Sequence, residues 1–186
     1  MPRLFVAVDL PDDIKKSLAV LGRGLPDVRW LAPEHLHLTI RFIGEADAGQ
    51  FAAIRQGLTG RGVPPFNCRL QGVGCFPPKG RPKVIWAGVD AETGLFRLQT
   101  AVEKTLRRLG LAPEERRFTP HITLARPKDT PHSAAAAYLS RYNSFLTRPF
   151  IVQAFHLYSS LLTPRGAIHT LERSYQLLVD DGEHET

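Results

Sequence analysis

Residues 35–43 read HLHLTIRFI, and the alternation in this run decides the fold. Leu36, Leu38 and Ile40 occupy every second place, with His35, His37, Thr39 and Arg41 between them. A period of two belongs to a strand with one apolar and one polar face. Gly44 closes the run. The same cadence returns 84 positions later as HITL, residues 121–124, within a strand predicted over Phe118–Ala125. The two tetrapeptides His37-Leu38-Thr39-Ile40 and His121-Ile122-Thr123-Leu124 therefore match, each followed closely by an arginine, Arg41 or Arg126. Seven histidines and an average threonine frequency give about 0.4 His-x-Thr triplets by chance. Two that also share apolar second and fourth positions point to two halves of a pseudo-symmetric fold.

Outward from these runs the chain alternates between strand and helix patterns. Arg3–Leu10 reads as a buried strand, and Pro11-Asp12-Asp13 starts a helix that runs to Leu21. Residues 30–34 form an extended link, and Asp47 caps a helix over Ala48–Leu58. Phe66–Phe76 and Val84–Val89 make a hairpin about the Pro77–Gly80 turn. Thr93–Leu109 is a helix with Leu95, Leu98, Val102, Leu106 and Leu109 on one stripe. Pro131–Phe145 is another helix. Phe150–Ser160 and Ala167–Leu178 are strands about the Thr163–Gly166 turn, and 180–186 is a polar, frayed tail. Hairpins mixed with helices predict an α+β fold with largely antiparallel sheet, and no linker separates independent domains within residues 1–186.

The strand period also carries the chemistry. His37 and Thr39 project to one face while Leu38 and Ile40 enter the core, and His121 and Thr123 do the same. If the two strands lie side by side, two imidazoles and two hydroxyls face one small volume. One imidazole takes a proton from water and the other protonates a departing ribose oxygen. The hydroxyls donate to the non-bridging phosphate oxygens, where charge accumulates. An imidazole titrating near 6.5 suits both roles. The plain alternative is two amphipathic strands with polar outer faces, since threonine is a good strand former.

Bulk properties agree with such a partner. A net charge of +6 favours polyanions. The 43% hydrophobic content supplies a core. No run of 18 apolar residues spans a membrane, and the N-terminus lacks a secretory pattern, so a cytoplasmic protein is expected. Cys68 and Cys75 are read as buried thiols. His35-x-His37 invites a metal reading, but no third ligand completes a zinc site, so no metal and no cofactor are expected.

With these motifs the sequence resembles the two-histidine phosphoesterase superfamily. It is most similar to the RNA 2′,3′-cyclic phosphodiesterase branch, historically described as bacterial 2′-5′ RNA ligase. The resemblance runs through the opening RLFVAVDLP and the block from Trp30 to Glu45. It continues through Phe118–Arg126 and Leu157–Leu161 to Pro164-Arg165-Gly166. It implies a single bilobal domain: two antiparallel sheets face a central cleft, helices cover the outer faces, and each lobe contributes one His-x-Thr motif. It also implies metal-independent hydrolysis of RNA 2′,3′-cyclic phosphate ends, or of nucleoside 2′,3′-cyclic phosphates, to 2′-phosphomonoesters. His37 would be the general acid and His121 the general base, in a monomer, with reversible 2′-5′ ligation by the same site. Arg126 maps to the family's phosphate-binding arginine, although strict alternation turns it away from His121. A local bulge would turn it back.

Other residues are weighed from the pattern itself. Arg41 falls on the His37 face by simple period and is a second candidate for substrate binding. Phe42 and Phe118 flank the motifs and are candidates for base stacking. The alternation, however, sends Phe42 toward the core with Leu38 and Ile40. His35 is placed at the rim of the site or in solvent, and His169 stands where relatives often carry an aromatic. Arg107, Arg108, Arg116 and Arg117 cluster before the second motif and could guide RNA backbone. Two other readings remain open: a phosphodiesterase for small cyclic nucleotides or 2′-5′ oligonucleotides, and a non-catalytic module that holds RNA ends.

Overall fold

The computed structural model describes residues 2–22, 24–164 and 166–179. Its strands are β1 (Arg3–Asp9), β2 (Val28–Trp30), β3 (His37–Glu45), β4 (Phe66–Phe76), β5 (Val84–Ala91), β6 (His121–Pro127), β7 (Phe150–Val152), β8 (Ala154–Thr163) and β9 (Gly166–Gln176). Its α-helices are α1 (Asp12–Leu18), α2 (Ala48–Gly57), α3 (Thr93–Arg108) and α4 (His132–Arg141).

All strand pairs are antiparallel, as expected, in the order β7-β4-β5-β6-β3-β1-β8-β9, with β2 on β6. The motif strands β3 and β6 lie at the centre, and three further strands extend outward on each side. The two halves are joined through one residue pair, Leu38 opposite Ile122. The fold is therefore α+β with two antiparallel half-sheets meeting at a narrow seam.

One face of both halves carries the helices. Leu4, Val6 and Val8 of β1, Leu38 and Ile40 of β3, and Ile122 and Leu124 of β6 pack there. They meet Ile14 and Leu18 of α1, Ile54 of α2 and Tyr138 of α4. The α3 stripe Leu95, Leu98, Val102 and Leu106 is buried as its spacing predicts, whereas Leu109, read as its last member, caps the helix and is only partly buried. The Asp47 capping box starts α2: its side chain accepts from Gln50 N at 2.8 Å, and Gln50 returns the bond.

Several boundaries differ from the sequence pattern, each for a local reason. The first helix ends at Leu18 and tightens into a 3-10 turn over Ala19–Leu21 before Gly22. Trp30, read as link, closes strand β2, which pairs with β6 opposite Ala125. The second motif strand begins at His121 because Pro120 donates no ladder hydrogen bond. The fourth helix stops at Arg141, four residues short of Phe145. The run Phe150–Ser160 is two strands, broken at Gln153. β7 pairs with β4, whereas β8 crosses to the other half and pairs with β1. Residues 180–186, read as a frayed tail and containing His184, lie outside the described residues, as does Arg165 of the last turn.

Candidate functional site

The register of the seam sets the site. Residues directly opposite in an antiparallel pair point to the same side of the sheet. Leu38 and Ile122 both enter the core, so their neighbours His37, Thr39, His121 and Thr123 all project to the helix-free face. His37 and His121 are then diagonal neighbours across the seam, with backbones about 7–8 Å apart. All four side chains are half-buried. Neither threonine hydroxyl is engaged by another protein group among the described residues.

Each imidazole packs against rings from other strands of its own half-sheet. Phe5 of β1 stacks on His37 with centroids 5.0 Å apart, and His169 of β9 meets His37 edge-on at 5.4 Å. On the other side, Phe76 of β4 meets His121 edge-on at 5.1 Å, and Trp86 of β5 lies 6.2 Å away. Gly74 leaves the room Trp86 needs, since a Cβ there would lie 2.1 Å from the indole.

Both histidines are hydrogen-bonded to the backbone two residues upstream. Nδ1 of His121 donates to the carbonyl of Thr119 at 2.7 Å. A carbonyl only accepts, so this bond fixes the proton on Nδ1 and leaves the Nε2 lone pair free when the ring is neutral. His37 is hydrogen-bonded to the backbone of His35, again two residues earlier. Burial pushes the His37 imidazole down to about 4, helped by repulsion from His169, while the Asp9 carboxylate opposes this. Asp9 lies opposite His37 in β1. Its two carboxylate oxygens share the Tyr158 hydroxyl at 2.8 Å, and His156 Nε2 lies 3.8 Å away. Burial lowers the His156 and His169 imidazoles as well.

Two β-bulges decide where the remaining candidates point. In β3 the register slips so that Ala7 faces Thr39 but Val6 faces Arg41. Ile40 is the extra residue, and the phase of the strand inverts after it. Arg41, expected beside His37, instead lies on the helix face. Its guanidinium donates to Glu103 at 2.9 Å, to Glu114 at 3.1 Å and to the carbonyls of Ala112 and Phe42. Four of its five N–H donors are engaged there, on the face opposite His37. Phe42, which alternation sends to the core, is turned out to the His37 face. It is 59% exposed and rests on Phe5 at 5.6 Å.

In β6, Thr123 faces Trp86 but Ala125 faces Ile85, so Leu124 is the extra residue. This bulge returns Arg126 to the His121 face, where it is exposed and carries no ion pair among the described residues. Phe118 is half-buried and meets Phe96 of α3 edge-on at 6.1 Å. His35 sits against His169 at 5.0 Å, with its Nδ1 buried and unpartnered. No group of three or more ligand-type side chains among the described residues is arranged to hold a metal ion. Among the described residues no helix is long and apolar enough to cross a membrane.

Phe5, Asp9, Phe76 and Trp86 are site residues that no motif marks. Phe5 and Asp9 share a face by simple alternation in RLFVAVD, so the signal was present. Phe76 and Trp86 depend on the β4–β5 register, which no local pattern specifies.

Comparison with known proteins gives the same picture. Residues 10–163 match the model of the 2′-5′ RNA ligase superfamily. An RNA 2′,3′-cyclic phosphodiesterase of Archaeoglobus fulgidus is 35% identical, over 90% of this chain and 96% of that protein. One from Thermotoga maritima is 33% identical, over 90% and 91%. Among solved structures, a Thermus thermophilus protein superposes with a TM-score of 0.80 at 30% identity, covering 96% of this chain and 99% of that one. Escherichia coli LigT complexed with 3′-AMP superposes with a TM-score of 0.74 at 27% identity, covering 95% and 99%. The match across most of the chain, in sequence and in fold, means that the chain belongs to the 2′-5′ RNA ligase superfamily.

Proposed function

We propose that this protein opens terminal 2′,3′-cyclic phosphates on RNA, giving a 2′-phosphomonoester and a free 3′ hydroxyl. The observation that carries the reading is the Leu38–Ile122 register, which puts both His-x-Thr dyads on one face. The names of the relatives from Archaeoglobus fulgidus and Thermotoga maritima support the same substrate.

In this reading Nε2 of His121 takes a proton from water, and the hydroxide attacks phosphorus opposite O3′. His37 protonates O3′ as the P–O3′ bond breaks. Asp9 and the entering phosphodiester anion both favour the protonated form that His37 needs for this. Thr39 and Thr123 donate to the non-bridging oxygens, and Arg126 adds a fixed positive charge. Phe42, exposed above the buried Phe5, offers an aromatic surface to the terminal base. Leaving-group protonation and these donors meet the charges that a metal would otherwise meet. Both histidines come from one chain, so residues 1–186 act as a single two-lobed unit, and a monomer suffices. The two free buried thiols suit a reducing cytoplasm. The reverse reaction, joining a cyclic end to a 5′ hydroxyl, uses the same groups.

The test is turnover of an RNA ending in a 2′,3′-cyclic phosphate, in excess EDTA, with product analysis. Release of a 2′-phosphate end supports the proposal. A 3′-phosphate end would overturn the leaving group, and absence of turnover would leave a binding module.

A further inference from the structure

We propose that the RNA strand leading to the cyclic end is held in a basic groove on the outer side of α3, lined by Arg61, Arg97 and Lys104. The proposal rests on the RNA-end reading above and extends it to the body of the substrate. The groove has a volume of about 470 Å³. Arg97, Thr100 and Lys104 line it from successive turns of α3, on the side turned away from the buried leucines. Arg61 enters from the segment between α2 and β4. It is anchored there by a bridge to Leu178 and by the neighbouring bond from Gly62 N to the Leu178 carbonyl, 2.9 Å.

No carboxylate pairs with any of these three cations among the described residues. The acids next to the groove-lining run of α3 in sequence are committed elsewhere: Glu92 accepts from Asn67, and Glu103 holds Arg41. Other surface arginines contrast with them, since Arg69, Arg81 and Arg148 each have a partner within 2.7 Å. Three uncompensated positive charges around one concavity, with the Thr100 hydroxyl between them, suit a chain of phosphates.

The groove lies on the helix side of the sheet, and the Phe96–Phe118 contact leads from it toward the segment that enters the catalytic strand β6. Phe96, 48% exposed at one end of it, meets Phe118, and Phe118 precedes Thr119, whose carbonyl holds His121. The three residues from Phe118 to His121 span at most about 10 Å. A strand with its end at His121 thus passes over Phe118 and Phe96, where bases can stack, and enters the basic groove.

The experiment compares the full chain with the triple variant Arg61→Gln, Arg97→Gln, Lys104→Gln on two substrates: a mononucleoside 2′,3′-cyclic phosphate, and a cyclic-ended RNA of about ten nucleotides. The variant is expected to match the native protein on the mononucleoside. Its KM for the oligonucleotide should rise at least about tenfold at low salt, and the slope of log KM against log salt should shrink by about two, as for three lost phosphate contacts. An unchanged oligonucleotide KM and slope overturn the groove, as does an equal loss on both substrates. If the native protein turns over neither substrate, the catalytic reading fails and the groove is judged separately. Fluorescence anisotropy with a labelled RNA of the same length then decides: tenfold weaker binding by the variant supports it, and equal binding overturns it.

Discussion

Nδ1 of His121 donates a 2.7 Å hydrogen bond to the carbonyl oxygen of Thr119, and His37 is hydrogen-bonded to the backbone of His35, again two residues upstream. Each catalytic strand thus orients its own imidazole from two residues upstream. If the pair works as one acid–base unit, His37→Ala and His121→Ala should each lower kcat about 10³-fold. The double variant should be little worse than the more damaged single one. Steady-state rates on a nucleoside 2′,3′-cyclic phosphate check this, and multiplicative losses would show independent roles.

The His37 imidazole is held near 4 by burial and by His169. Replacing His169 with Phe removes the charge repulsion and keeps a ring against Phe5. The His37 pKa should then rise while remaining below 6.5, because burial persists. Imidazole NMR titrations of the two proteins measure the shift, and a fall would contradict the assignment.

The same depression affects stability. An unfolded imidazole titrates near 6.5 and folded His37 near 4. Between those values the unfolded chain binds more protons, so stability declines as pH drops from 6.5 to 4 and is retained above 6.5. The His37 contribution to that decline is about 3 kcal/mol. Urea melts at pH 7 and pH 4 should show a smaller loss for His37→Ala than for the native protein.

Arg41 and Arg126 should separate cleanly. Side chains of Arg41 and Glu103 are 11% and 15% exposed, so Arg41→Ala takes the nearest partner from a largely buried carboxylate, which keeps Arg107 at 3.6 Å and the Glu114 N–H. A destabilisation of about 2 kcal/mol is expected, with kcat/KM nearly unchanged for the folded fraction. Arg126→Ala should leave the melting temperature within about a degree and cut kcat/KM by about 10²-fold. Paired thermal melts and kinetics read both outcomes.

The legibility of the molecule followed the range of the interactions. The His-x-Thr dyads, the α3 stripe and the hairpins are written in local periodicity, and the structure places them as read. The extra residues Ile40 and Leu124 are not. Nothing in HLTIRFI marks which residue the neighbouring strand will skip, yet that skip exchanges the faces of Arg41 and Phe42. Pairing with β1 and β5, not propensity, makes the decision. The same holds at Gln153, where one apolar run serves two different sheet edges.

That crossing at Gln153 orders events during synthesis. The half bearing His121 is complete once β7 has left the ribosome, because its strands all lie between Val28 and Val152. The half bearing His37 joins β1 and β3 to β8 and β9, which lie more than a hundred residues later, and waits until residues 154–176 have been made. A nascent or prematurely terminated product ending near Val152 therefore carries both histidine motifs, but leaves β1 as an unsatisfied edge where β8 should lie.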